Sequence, residues 1–359
     1  MSESLATILS RIEDLAEEVG RDIKLMEVCG THTHSIHRNG IDRALPSNLS
    51  LISGPGCPVC VTGTGYIDRA IAIAERHGAA LHTFGDLVKV PGSAGRSLAD
   101  ARAAGTRVKV VSSAADSLRL ASSTGLPTVF LGVGFETTAP GTASTLKRAR
   151  SEGVDDFSVL SSMKLIPPAM SALASSPRLA IDGFLCPGHV SVVTGSRVYL
   201  PIAESSGTPC VVAGFEPGEI LSGVSMLLGQ ISEGRAEVEN AYPAVVSEDG
   251  NPRARKVMEE VLAPGDDAWR GLGTIPGSGL FLRGEYADHD ARTLWPVDVP
   301  PAREDPECRC GDVLCGLIDP PGCSLFGRGC TPRNPRGACM VSGEGSCAAW
   351  FRYGGRRPE

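Results

Sequence analysis

Apolar positions recur at helical spacing near the start of the chain. Leu5, Ile8, Leu9, Ile12, Leu15 and Val19 keep the i, i+3, i+4, i+7 rhythm, and Gly20 supplies a stop. The spacing predicts an amphipathic helix over residues 4–19, followed by a short strand, IKLMEV (23–28), that delivers Cys29 to a loop. From about residue 49 strand and helix alternate. LSLIS reads as a strand, and YIDRAIAIAERHG (66–78) as a helix with Ile67, Ala70, Ile71 and Ala74 on one face. ALHTF, VKVV and TVFLGV are short apolar runs of the kind buried parallel strands show, separated by alanine-rich helices such as SLADARAAG. A second set begins near residue 127 with FSVLSS, IDGFLC and PCVVAGF. A helix through Ile220, Leu221, Val224, Leu228 and Ile231 closes it.

This alternation predicts an α/β fold with right-handed crossovers and two similar parallel-sheet lobes, residues 41–126 and 127–234. Beyond about residue 235 glycine and proline become dense and strands fade; from 300 the chain is cysteine-rich with little periodicity. Residues 235–359 therefore read as a smaller domain that needs a metal or cluster as a staple, joined by the amino-terminal helix and loop of residues 1–40. Functional loops of α/β sheets lie at the carboxyl ends of strands. Cys29, GPGCPVC (54–60), Asp86, GFETT, PGHVS and GFEP each follow a predicted strand.

Composition narrows the classes. At 359 residues, with 42% hydrophobic and 21% charged residues, the chain is long enough for two or three domains and ordinary for a globular protein. A formal net charge of −7 and only 5% aromatic residues argue against nucleic acid or an anionic membrane as partner. The first twenty residues lack the basic start and apolar block of a leader. No stretch approaches the roughly 18 to 20 apolar residues of a membrane span. A cytoplasmic location is expected, where thiols stay reduced, so twelve cysteines point to metal or redox chemistry rather than a disulfide framework.

Seven of the twelve, Cys308, Cys310, Cys315, Cys323, Cys330, Cys339 and Cys347, crowd the carboxyl-terminal segment. Cys323, Cys330, Cys339 and Cys347 are separated by six, eight and seven residues. Structural zinc usually draws on paired C-x₂₋₄-C knuckles, which these four lack. Wide spacing with glycine and proline between ligands suits a [4Fe–4S] cluster, although Cys308, Cys310 and Cys315 compete as ligands. GPGCPVC is a C-x-x-C pair with a predicted helix shortly after it. It reads either as a redox dithiol or as a turn with buried cysteines. VCGTHTHSIH (28–37) groups Cys29 with His32, His34 and His37, a donor set able to hold a transition metal with open positions. Asp86, Glu136 of GFETTAP and His189 of CPGHVS suit acid–base or ligand-orienting roles, or simple helix capping.

MEVCGTHTH, GPGCPVCVT, TFGDLVKVPGS, GFETTAP, PGHVS, GFEP, WRGLG and CMVSGEGSC, in this order, resemble the HypD family of [NiFe]-hydrogenase maturation proteins. The resemblance implies a cytoplasmic scaffold, rather than a conventional free-standing enzyme, on which the Fe(CN)₂(CO) group is assembled. It implies a HypC-type chaperone that shares the iron, a HypE-type cyanide donor, and the hydrogenase large subunit as indirect beneficiary. It also implies that Cys29, with His32 as companion, binds the iron, that Cys57 and Cys60 form the redox dithiol, and that Cys323, Cys330, Cys339 and Cys347 hold a [4Fe–4S] cluster. Asp86, Glu136, His189 and Glu344 fall in the family's polar cleft motifs. Two positions depart from the familiar pattern: Gly63 stands where proline is usual, and Gly343 where serine is. A cluster relaying electrons through the dithiol to iron at Cys29 is the mechanism this implies. The competing class is an iron–sulfur-dependent thiol–disulfide reductase.

Overall fold

Two open sheets organise the chain in the computed structural model, which describes residues 4–354. The strands are β1 (Ile23–Glu27), β2 (Leu49–Ser53), β3 (Ala80–Thr83), β4 (Val108–Val110), β5 (Thr128–Gly134), β6 (Phe157–Lys164), β7 (Gly183–Pro187), β8 (Cys210–Ala213), β9 (Val238–Asn240), β10 (Leu262–Trp269) and β11 (Gly273–Leu282). The first sheet, ordered β2-β1-β7-β8-β9, is parallel throughout. The second, ordered β10-β11-β6-β5-β3-β4, has a parallel half and an antiparallel β10–β11 hairpin joined to β6. The α/β class with two parallel-rich sheets is therefore as the periodicity predicts. Every residue of β5 and β6 is buried, which explains the near-continuous apolar texture of β5; β6 also buries Ser158, Ser161, Ser162 and Lys164.

The lobes are not consecutive in sequence. β1, with β2 on its other side, leaves the amino-terminal half to pair with β7, which pairs in turn with β8, while β3 pairs directly with β5, Leu81 opposite Val129. The expected boundary at 126/127 thus falls inside one sheet. Hydrophobic runs reveal that strands exist, but parallel partners are joined by crossovers, and local pattern does not say which strands pair.

Strands also do not fade after residue 235. β10 and β11 form a hairpin, with a bulge between Gly265 and Asp267. Their proline- and glycine-rich sequences hide them from a propensity reading, because backbone pairing and a few anchors hold them in place. Trp269 is buried, stacks on Phe135 and donates from Nε1 to Ser278 Oγ at 2.8 Å.

The helix Leu5–Val19 starts at a Ser4 cap and buries Ile8, Ile12 and Ala16. It packs against the helix Pro217–Ser232 beside the first sheet, not against the carboxyl-terminal region. That association belongs instead to the helix Gly30–Asn39, which packs on the helix Ser346–Tyr353. CGTHTH is accordingly the start of a helix and not the loop expected. Among the described residues no helix is long and apolar enough to cross a membrane.

Candidate functional site

The site begins where β1 ends. Cys29 is extended (φ −147°, ψ 120°), occupies the cap position of the helix Gly30–Asn39, and is 8% exposed. Glu27, the last residue of β1, folds its carboxylate over this turn. It accepts from the Cys29 backbone N–H at 3.0 Å with one oxygen and from the Thr33 hydroxyl with the other. Burial pushes the Glu27 carboxyl up to about 8. Burial also pushes the Cys29 thiol up to about 12, with Glu27 and Glu344 adding to it, while the N–H groups of His32 and Thr31 act the other way. Glu27 is not among the candidate residues the motifs single out; its signal in the sequence is a lone acid inside the apolar strand IKLMEV.

The GPGCPVC loop lies directly on this turn. Gly30 N–H donates to Gly56 O at 3.0 Å, and Gly54 N–H to Glu27 O at 2.7 Å. A Cβ on Gly56 would lie 2.2 Å from the Cys29 nitrogen, and one on Gly54 2.8 Å from Met26 Sδ, so glycine permits the approach. Cys57 then caps the short helix Pro58–Val61, with Pro58 at its first position. Cys57 and Cys60 are joined as a disulfide, Cα–Cα 5.2 Å, and both are buried.

The carboxyl-terminal segment closes over both. The turn Ala338–Met340, which carries Cys339, packs against the helix Pro58–Val61. Ser342 Oγ donates to Asp86 at 3.3 Å, and Thr31 Oγ1 reaches Glu344 at 3.5 Å. Glu344 Cβ is so close to Gly30 that a Cβ there would sit 2.4 Å away. Loss of water raises the pKa of both Asp86 and Glu344, and the Asp86 charge adds to the latter. Glu344 is thus brought to the Cys29 turn from 313 residues downstream of Thr31, and Asp86 is tied to the same loop through Ser342.

The three histidines diverge. His32 is fully buried, bonds Gly214 O through Nε2 at 2.8 Å, and leaves Nδ1 without a partner among the described residues. Burial draws its pKa down to about 4. His34 meets Tyr353, and His37 meets Asp42 and Trp350. His189 stacks on Phe215 at 3.9 Å between ring centres, and His32 meets the same ring at 5.0 Å. Glu136 is not part of this group. It is buried, accepts from Ile166 N–H at 2.9 Å, and lines a separate cavity with Leu165, Thr194 and Arg283.

Cys308, Cys310, Cys323, Cys330, Cys339 and Cys347 line one small cavity whose other walls include Val313, Leu325, Phe326 and Met340. Cys310 and Cys339 are in contact at 2.8 Å between sulfurs. Cys315 faces elsewhere, toward Gly271 O at 3.4 Å. Among the described residues no three His, Cys, Asp or Glu side chains are drawn together closely enough to hold a single metal ion. The donor set is all soft sulfur in an apolar, water-poor setting, which fits an iron–sulfur cluster.

These features define an α/β protein whose cysteine-rich tail is folded onto a thiol and a disulfide at the ends of neighbouring parallel strands. Residues 3–354 match the family model HypD, described as the hydrogenase formation hypA family. The chain is 45% identical to the hydrogenase maturation factor HypD of Rhodobacter capsulatus over 98% of its length and 95% of the relative's. It is 44% identical to HypD of Azotobacter vinelandii, covering 94% and 91%, and 44% to HypD of Escherichia coli K12, covering 96% and 92%. The chain belongs to the HypD family of hydrogenase formation proteins.

Proposed function

We propose that the protein matures [NiFe]-hydrogenase in the cytoplasm, as the scaffold on which iron is loaded with cyanide and carbonyl ligands. The observation that carries this reading is the continuity of three sulfur groups. The Cys29 turn, the Cys57–Cys60 loop and the loop 339–347 touch one another through Gly56, Glu344 and the Ala338–Met340 turn. Iron is the cargo here and Cys29 its thiolate ligand; a bound cation deprotonates a thiol that burial otherwise keeps protonated. Glu344, which reaches Thr31 and lies against Gly30, and His32, whose Nδ1 has no partner among the described residues, offer polar groups at the same turn, with Asp86 held to the Glu344 loop through Ser342 and His189 stacked on Phe215. A HypC-type chaperone completes the iron coordination, and a HypE-type protein delivers cyanide.

Cys323, Cys330, Cys339 and Cys347 would hold a [4Fe–4S] cluster, which supplies single electrons when bound. The Cys57–Cys60 bond takes up two electrons and two protons when it opens to thiols. Burial of both sulfurs disfavours exchange with a bulky external disulfide, which argues against the free-standing reductase.

The test is anaerobic copurification of the protein with its small chaperone. Cyanide and carbonyl infrared bands should be present in the wild type and absent from Cys29→Ala. Cys57→Ser should abolish hydrogenase maturation and keep the visible absorbance of the cluster. Lack of infrared bands in the wild-type complex sinks the scaffold reading. Loss of the absorbance in Cys57→Ser would make the disulfide structural.

A further inference from the structure

Arg270 follows β10 and lies between the disulfide helix and the segment that carries Cys310; Arg309, which lines the cysteine cavity itself, is half exposed and paired with Asp312. Its backbone N–H donates to Val61 O at 2.9 Å, at the end of the helix Pro58–Val61. The next residue, Gly271 (φ +81°), packs against Gly311, the neighbour of Cys310; a Cβ at 271 would lie 2.4 Å from Gly311 Cα. The Arg270 side chain is 3% exposed. One nitrogen, Nη1, meets Glu304 at 3.3 Å, and that carboxylate is 48% exposed. Nε and Nη2 are buried with no hydrogen-bond partner among the described residues. A guanidinium buried with two unmatched donor nitrogens is costly unless an anion lies near.

We propose that Arg270 is the counter-charge of the cysteine-lined cavity, a positioning residue that stabilises its bound iron–sulfur group and raises the reduction potential of that group. This rests on the reading that the cavity holds a [4Fe–4S] cluster. One-electron reduction breaks no bond and adds one negative charge, so a nearby fixed positive charge favours the reduced form. Removing it favours the oxidised form and lowers the potential.

The experiment is a redox titration of the full-length, anaerobically reconstituted protein with dithionite, followed by visible absorbance and electron paramagnetic resonance. Arg270→Gln should shift the reduction equilibrium about tenfold toward the oxidised form, about 59 mV for a one-electron couple. Arg270→Lys should stay near the wild type, which a purely structural role does not predict. Glu304→Gln, a surface change, should move the midpoint the opposite way. It decides the matter if Arg270→Gln fails to fold. A fully loaded Arg270→Gln protein with an unmoved midpoint overturns the inference, and so does an unmoved midpoint in Glu304→Gln. Absence of any iron–sulfur signal in the wild type overturns the cavity reading itself, and this inference with it.

Discussion

Gly63 has φ −68° and ψ 155°, a backbone proline adopts without strain, and a Cβ there would meet nothing within 4 Å. Thr62 before it is extended, as a residue preceding proline should be. Among the described residues its N–H makes no hydrogen bond. Gly63→Pro should therefore stabilise the protein by about 0.4–1 kcal/mol through the unfolded chain, read as a higher urea midpoint at unchanged slope. Glu136 makes a pH prediction. Burial pushes its carboxyl from an ordinary 4.5 up to about 7, and one oxygen has no partner. Because the folded pKa is the raised one, the native state holds the extra proton. The contribution to stability is full below the unfolded pKa and is lost as pH rises through about 7. The stability read from urea titrations should fall across that window by about 3 kcal/mol at most, and Glu136→Gln should flatten the fall. An unchanged pH profile in the variant would contradict the assignment. Both residues stand out in the sequence, but the free space at one and the orphaned oxygen at the other belong to the folded surroundings.

At the scale of elements, the β10–β11 hairpin shows how a segment with weak strand propensity is fixed by a few interactions. Lys164, at the end of β6, is 1% exposed and pairs with Asp267 of β10, while its ammonium also donates to Ala268 O at 2.8 Å. Burial lowers the Lys164 pKa, and the Asp267 charge opposes that. Asp267→Asn leaves the buried ammonium without its anion and should cost about 3–5 kcal/mol. Lys164→Met in the same chain should recover most of it, because the uncompensated charge is gone. A double variant no more stable than Asp267→Asn alone would show that the pair acts through packing. The CGTHTH element teaches the complementary lesson. Its helix was unexpected because histidine and threonine are indifferent helix formers. Packing on the helix Ser346–Tyr353, with His34 against Tyr353 and His37 against Trp350, overrides that local preference.

At the scale of the whole molecule, each sheet has a buried cluster of its own and a third cluster joins both sheets to the segment 302–345, which is built mostly from short turns around the cysteine cavity. On the proposed cluster, stripping iron with a chelator should expose this segment to limited proteolysis while the sheet-bearing fragments stay protected. Uniform digestion would mean that the cores depend on the same staple. Periodicity alone determined most helices and parallel strands, the α/β class and the inventory of thiols, because apolar spacing is written locally in the chain. The motifs also carried the family. Only the tertiary structure decided that β1 pairs with β7, that β3 pairs with β5, and that residue 344 lies against residue 30. It also decided that six cysteines share one cavity and Cys315 does not. Such pairings depend on shape complementarity between segments tens to hundreds of residues apart, and no local pattern of apolar and polar residues encodes them.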